Sequence, residues 1–524
     1  MQTALSKKSI LQKTAQVGVS SFLSKCLGIV REILQMRYIG ANQLSDAFNV
    51  AYRIPNFMRK VFAEGALSAS FVPTLVKVVK GGDQKEANRL MTLVLCLIGG
   101  FFLILCTVVA LFPTPFVLFF APGFLHKPVE FETAVKLTRV LIFLVFFMSA
   151  STLLAGAMQS KNHFQIPALG PLILNVFYII GLLIALAYGM ALSSFIWFLI
   201  LGAIVQFIIY VVTYIKVDFS FAWPDAQTWK HFRFTMTKFL PCVLSMSAVE
   251  ISLLIDGQFG SSLPAGSLTL ISLSSRLMGI ALSTFAGAFS TVLYSHFSRI
   301  TTYAPRRLSF YILESAKLMF WGTIPATIFL GFFSRDILYT IFYRFSAKNL
   351  TLDQISLAGT LLVVFSLGLF FYSVNKIFLS MYYAMHNTSL PMFITLTGVA
   401  GNILLNRLLM PSYGAVGLAL ATTSASLIQT ALFVYCAPRA LGVTLYGRRF
   451  FSYVGYYLAQ LTVVLAVAYL IYRLGMRLFL AIPYGDFFIS HIGLWLWVGP
   501  LCVGVFVVLY LLRNKGGMKL YFLE

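Results

Sequence analysis

Charge is what this chain has least of. Asp, Glu, Lys and Arg make up 10% of its 524 residues and hydrophobic types 59%, where an ordinary soluble domain is roughly 25% charged. So little polar material excludes a soluble globule. Cysteine is also sparse: Cys26, Cys96, Cys106, Cys242, Cys436 and Cys502 stand singly, with no CxxC spacing, which excludes a metal knuckle or dithiol centre and leaves them as small buried hydrophobes. The six histidines, His126, His163, His231, His296, His386 and His491, are far apart and form no HExxH pair. No GxxxxGK[ST] loop is present, so ATP hydrolysis is not expected. After Lys7, Lys8 and Lys13 no small-residue cleavage site follows a short apolar core, so the first helix itself is expected to target the chain.

What the chain does have is apolar runs of about 20 residues, recurring from Met91 to Leu512. Each is long enough to cross a hydrocarbon layer roughly 30 Å thick. Continuous runs, instead of short dyad segments, point to helices and away from a barrel. The expected fold is an all-α membrane protein with about fourteen transmembrane helices: 14–38, 47–77, 90–112, 133–158, 165–188, 192–215, 232–257, 268–298, 312–334, 352–383, 391–409, 414–437, 451–473 and 489–512.

The charge imbalance, +23 net, would suggest nucleic acid in a soluble protein, but here its placement excludes that. Tails and loops on one side of the fourteen spans carry twenty Lys and Arg, among them Lys77, Lys161, Lys216, Arg306 and Arg513; those on the other side carry eight, among them Arg37, Lys127 and Arg344. The positive-inside bias therefore puts both termini in the cytoplasm, as an even number of spans requires.

Two stretches echo each other. LLAGAMQSKNHFQIP ends at Pro167 and is followed by PLILN, ending at Asn175; IFLSMYYAMHNTSLP ends at Pro391 and is followed by GNILLN, ending at Asn406. Both lie at a fourth-to-fifth helix junction of a six-helix half, so the repeat is parallel. The expected domains are a first lobe over 1–220, a second over 221–440, and two added helices with a tail over 441–524.

Against this background the stretch DAFNVAYRIPNFMRKVFAEGALSASFVP, from Asp46, carries Arg53, Arg59, Lys60 and Glu64. Charged groups at membrane depth cost at least about 2.5 kcal/mol each. Lys60 and Glu64, four apart, are spaced to pair along a helix. Pro55 lacks an amide donor and should open the helix around Ala51 and Tyr52, which is tolerated only beside a cavity or neighbouring protein. Lys25, Arg31 and Glu32 lie in the first segment; Arg276 lies in the eighth, before the small-residue run that holds Gly279 and Gly287; Lys376 lies in the tenth. Set against Glu32, Asp46, Glu64, Glu250 and Asp256, these cations are in surplus, and a surplus calls for an anion. Arginine suits phosphate through its planar fork of donors.

The run SKCLGIVREILQMRYIGANQLSDAFNVAYRIPNFMRKVFAEGALSASFVP resembles the N-terminal signature of the MurJ/MviN family, the bacterial lipid II flippases within the multidrug and oligosaccharidyl-lipid exporter superfamily. The likeness continues through GAMQSKNHFQIPALGPLILN, SSRLMGIALSTFAGAFSTVLYSHFSR and YGAVGLALATTSA. It implies two pseudo-symmetric, MATE-like lobes of six helices plus two C-terminal helices, in the bacterial inner membrane, with a cavity that opens alternately to cytoplasm and periplasm. It implies a non-enzymatic flippase that carries undecaprenyl-diphosphate disaccharide pentapeptide outward for peptidoglycan synthesis, with lipid II, membrane lipids and the synthesis machinery as partners, no nucleic acid and no cofactor. Energy is left to an ion gradient, the membrane potential, the substrate gradient or a partner; any metal is unknown. Matched motif to motif, the resemblance makes Arg31, Arg59 and Arg276 the diphosphate ligands. Lys25, Glu32, Asp46, Arg53, Lys60 and Glu64 become supporting cavity residues, and Pro55, Gly65, Gly279, Gly287, Asn175 and Asn406 packing or hinge positions.

There are departures. Glu32 replaces the usual Asp, Lys60 a common Arg, Ala281 and Ser283 a PLG-like turn, and Ser295 a Pro. Asn387 and Ser389 stand where an acid and an arginine are typical, so no ion site or salt bridge carries over to that turn. Two other readings fit the residues: an exporter of another polyprenyl-diphosphate oligosaccharide or of drugs, and a non-transporting membrane scaffold. A drug exporter should favour interior acids for cationic drugs, and a scaffold has no reason to keep interior arginines.

Overall fold

The computed structural model describes residues 7–62, 68–81, 83–161, 163–283, 286, 289–290, 297, 307–346, 349–385, 387, 389–481, 494–513 and 520–523. Every described element is helical. In chain order these are α1 (Lys7–Tyr38), α2 (Gln43–Met58), α3 (Ser68–Lys80), α4 (Gln84–Leu111), α5 (Pro113–Phe120), α6 (Pro128–Leu141), α7 (Phe143–Ser160), α8 (Gln165–Tyr188), α9 (Leu192–Lys216), α10 (Ala226–Gly260) and α11 (Ser267–Leu282). There follow α12 (Leu308–Phe332) with a bent continuation over Ser334–Ser346, α13 (Leu352–Leu367), α14 (Leu369–Ala384), α15 (Ser389–Leu441), α16 (Gly447–Leu480) and α17 (Leu494–Leu511). The chain forms two compact units: Met1–Thr269 with Phe345–Thr351, and Leu270–Arg344 with Leu352–Glu524.

Local chemistry sets the helix ends. Asn42 starts α2 with a reciprocal cap, its side chain accepting from the Ser45 amide while the Ser45 hydroxyl accepts from the Asn42 amide. Asp225 does the same for α10 with Thr228. Asn387, at the position where an acid is expected from the resemblance, accepts the Leu390 amide at 3.2 Å and so caps α15. Non-helical backbone at Gly414 divides α15, which matches the expected gap between 409 and 414.

Seven described helices are long and apolar enough to cross a membrane, or nine if each of two bent pairs is one span. The fourteen expected segments all contain helix, so the difference is informative. The described helices outside these spans are α1, α2, α3, α5, α10 and α11, and all but α3 and α5, or the turns beside them, carry Lys25, Arg31, Arg53, Arg59, Lys60, Glu250 and Arg276. Four of these, α2, α3, α5 and α11, fall short in length, at 16, 13, 8 and 16 residues, and α11 is itself apolar.

The core of the first unit joins Phe48 and Ala51 of α2 to Leu137, Leu141, Tyr178, Leu182, Phe195 and Leu199. In the second unit the chain end returns to dock. Leu520 is buried against Phe320, Tyr453, Tyr457 and Leu509, the Tyr521 amide donates to Glu314 at 3.2 Å, and the Phe522 ring lies 5.1 Å from Phe289. Removing 520–524 should lower the melting temperature of the detergent-solubilised protein, because burial of Leu520 alone is worth about 2 kcal/mol. An unchanged melting curve would show that the docked end adds no stability.

Candidate functional site

The charged side chains of the first unit that stand out in the sequence sit in separate places, and the structure uses them differently. On α1 the Arg31 guanidinium donates from Nη2 to Glu32 at 2.7 Å and from Nη1 to the Asn175 side chain of α8 at 3.0 Å. Its carbon sits 5.0 Å from the centre of the Tyr178 ring. Asn175 and Tyr178 are three residues apart and so share one face of α8. Asn175 also donates to the carbonyl and hydroxyl oxygens of Ser24, and Tyr178 to Gln35 at 2.8 Å. Arg31 is thus a fixed arginine, held by a carboxylate, an amide and a ring, with Glu32 balancing its charge.

Four residues past Ala51, Pro55 is buried inside an unbroken α2. One turn along, Asn56 donates its side-chain amide to the Tyr52 carbonyl at 2.9 Å. Beyond α2 the chain widens into π-type turns over 59–62, where Arg59 Nη2 donates to Asn56 Oδ1 at 3.3 Å. Lys60 pairs with Glu250 of α10 at 3.0 Å, a partner 190 residues away. Arg53 packs on α10 so closely that a Cβ at Gly257 would overlap its Nη1.

These contacts revise the expected surplus: Arg31 and Lys60 each have a carboxylate. The Lys60 side chain is 41% exposed, so solvent screens the pair and its coupling should be within about 1 kcal/mol. Either charge reversal, Lys60→Glu or Glu250→Lys, should lower the melting temperature, and the double swap should recover most of the loss. No recovery in the swap would mean that the two residues act independently.

Asp46 does something else. Its carboxylate is buried and accepts from the Gly266 amide at 2.7 Å, the Thr269 amide at 2.9 Å and the Thr269 hydroxyl at 2.7 Å. Gly266 and Thr269 flank the start of α11, whose first amides have no partner within the helix. A carboxylate from α2 thus caps α11 from outside it. Gly266 has φ +85° and lies against the Ala41 backbone, a conformation and an approach that only glycine tolerates. Lys127 closes the other side of the turn, donating to the carbonyls of Ser261 at 2.7 Å and of Leu263. Nearby, Asn349 donates to the Arg37 carbonyl at 2.7 Å and its own carbonyl accepts from Ala41, tying Asn349 to the end of α1.

Of the other expected site residues, Lys25 is exposed on α1. Arg276 is exposed on α11, in the second unit. An added Cβ at Gly279 would meet no described atom. Asn406 is buried beside Asn402 on α15. Glu64, Gly65 and Gly287 lie outside the described residues. Among the described residues, no three His, Cys, Asp or Glu side chains gather as metal ligands.

Sequence reasoning missed Tyr178, Ser24, Gly266, Thr269 and Lys127. Only Tyr178 left a trace, through its spacing from Asn175.

Comparison with known proteins places these features. A family model described as "Lipid II flippase MurJ" matches residues 36–491. "Probable lipid II flippase MurJ" of Buchnera aphidicola subsp. Acyrthosiphon pisum is 27% identical over 440 residues, covering 80% of this chain and 82% of its own. "Lipid II flippase MurJ" of Burkholderia cenocepacia is 27% identical over 446 residues, 82% of this chain and 84% of its own. Among solved structures, a lipid II flippase MurJ in an inward closed conformation superposes with a TM-score of 0.77 at 24% identity, covering 96% of this chain and 99% of that one. An inward-facing multidrug resistance MATE family transporter of the MOP superfamily gives 0.62 at 16% identity, covering 80% and 95%. At these identities the structural likeness speaks for the fold.

Proposed function

The chain belongs to the lipid II flippase MurJ family, and from that premise we propose that it carries lipid II, the undecaprenyl-diphosphate disaccharide pentapeptide, from the cytoplasmic to the periplasmic leaflet by alternating access. Membership makes it a multi-pass inner-membrane transporter of lipid-linked sugar, not an enzyme. The observation that carries the finer reading is the family match across 36–491, which includes Arg59 and Arg276 in their motifs.

In this reading fourteen spans form two lobes of six, 1–220 and 221–440, followed by two helices over 441–524. The lobes follow the repeat, not the contacts: α10 begins the second lobe yet packs against α3 and α4 of the first compact unit. Arg31, Arg59 and Arg276 bind the diphosphate, and the polyprenyl tail stays in lipid beside α16 and α17, which expose Phe451, Val463, Leu470, Leu496 and Val503.

Arg31 supports this role through its pre-set plane. An arginine already oriented by Glu32, Asn175 and Tyr178 loses less freedom on gripping an anion than a mobile lysine does. Net bias then comes from a difference in grip between the inward and outward states, since a ligand bound equally by both shifts nothing.

Vesicles holding the purified protein and labelled lipid II, probed with a membrane-impermeant reagent, give the test. Lipid II should become accessible at a rate that an unlabelled polyprenyl diphosphate slows. Movement of a different polyprenyl-linked oligosaccharide with lipid II left behind would replace the substrate in this reading.

A further inference from the structure

At the end of the first unit that the Lys and Arg bias assigns to the cytoplasm, α3, α4, α7, α8 and α9 converge around a partly open cavity of about 420 Å³. It differs in chemistry from the arginine site, its basic side chains being Lys161, His163 and, at the end of α9, Lys216. Gln84, Lys161, His163, Lys216 and Asp218 supply its polar lining.

Lys161 is built in. Its Nζ donates to the carbonyls of Val217 at 2.8 Å and Asp218 at 3.2 Å and stands 4.5 Å from the centre of the Phe219 ring. Three donors on an ammonium leave one unspent by those two bonds. Burial lowers the Lys161 pKa, offset in part by the Asp218 charge, so an anion beside it would favour its charged form. Lys216 and His163 make no side-chain hydrogen bond or ion pair with another described residue, and both are exposed. Two lysines against one carboxylate leave the lining with a net positive charge, which one phosphodiester neutralises.

The segment leading away from the cavity says which phosphate reaches it. Phe221 is 56% exposed, Trp223 90% and Trp229 42%. Aromatic rings left uncovered beside lysines are what the headgroup layer of a bilayer accepts, apolar body inward and polar edge outward. Phe221 lies three residues beyond Asp218 of the cavity lining, so the chain that leaves the cavity carries rings suited to the headgroup layer.

We propose that this cavity is a binding site for the phosphate headgroup of an anionic phospholipid of the cytoplasmic leaflet, held by Lys161, Lys216 and His163. Basic pockets between membrane helices at this depth are suited to such headgroups. The site does not depend on which lipid-linked sugar the protein moves.

Full-length protein in detergent, titrated with phosphatidylglycerol and followed by native mass spectrometry, tests the proposal. The wild type should retain phosphatidylglycerol in preference to phosphatidylcholine and phosphatidylethanolamine, and saturating inorganic phosphate should leave it bound. The double variant Lys216→Glu/His163→Gln should bind one anionic lipid fewer, or bind it at least about fivefold more weakly, the effect expected of a single lysine at a membrane surface. The milder Lys216→Gln should weaken binding in the same direction. Arg513→Glu, a comparable charge change elsewhere, should leave binding as in the wild type, and melting curves should show all variants folded. Equal retention by the double variant and the wild type overturns the site. An equal loss with Arg513→Glu reduces it to bulk charge, displacement by inorganic phosphate makes it a soluble-anion site, and a preference for phosphatidylethanolamine assigns it to a zwitterion; each of these overturns the proposal as stated.

Discussion

Replacing Asp46 with Ala should destabilise the protein by at least about 3 kcal/mol, because it strips a buried carboxylate from three donors at once and hydrogen bonds to a charged group contribute about 1.5 to 3 kcal/mol each. The donors are the amides of Gly266 and Thr269 and the Thr269 hydroxyl, and the variant would leave the two amides buried without an acceptor. Asp46→Asn should fall between wild type and Ala, since one oxygen remains to accept while the new amide group faces existing donors. Thermal unfolding in detergent measures the loss. Hydrogen exchange locates it, with the Gly266 and Thr269 amides expected to exchange faster in the Ala variant than in the wild type. Wild-type melting together with continued protection of both amides would show that the capping contact is dispensable.

The same contact shows how far the sequence could be read. Asp46 stood out as one acid among few, and its place in the DAF stretch suggested a cavity role. What it touches is 220 and 223 residues further along the chain, and no periodicity or spacing rule reaches across that distance. Lys60 and Glu250, 190 apart, escaped for the same reason. Arg31 and Glu32 were adjacent in plain view, but whether adjacent side chains on a helix turn toward one another depends on the third body, here Asn175 and Tyr178.

Helices were far more legible. The apolar run bounded at 165–188 is α8 residue for residue, because a proline near its start and a glycine after its end are local signals. Hydropathy could not see the break at Ile142 between α6 and α7, since the residues next to it, Val140, Leu141, Phe143 and Leu144, are all apolar. It also passed over α5, eight residues inside a segment read as a loop. Composition reports burial in lipid well and direction of the chain poorly.

Alanine at Arg59 or at Arg276 should reduce lipid II translocation by about 10- to 100-fold, the equivalent of about 1.5 to 3 kcal/mol for a charge-assisted bond to a diphosphate oxygen, while the protein stays inserted and folded. At Arg59 the side chain donates to Asn56, within its own helical turn, at 3.3 Å. Arg31 is a harder case. Truncating it would leave Glu32 without its 2.7 Å partner and Asn175 without its donor, so Arg31→Ala should lose both stability and transport. Arg31→Lys separates the two effects: it keeps the charge opposite Glu32 but cannot span Glu32 and Asn175 with one planar group. If Arg31 presents its plane to the diphosphate, the lysine variant should melt near the wild type and yet flip lipid II slowly. If Arg31 only ties α1 to α8, transport should follow the melting temperature across Lys and Ala alike. Initial rates in vesicles, paired with melting curves for each variant, decide between these outcomes, and a triple alanine variant at Arg31, Arg59 and Arg276 that still flips at the wild-type rate would remove the anion grip from the mechanism altogether.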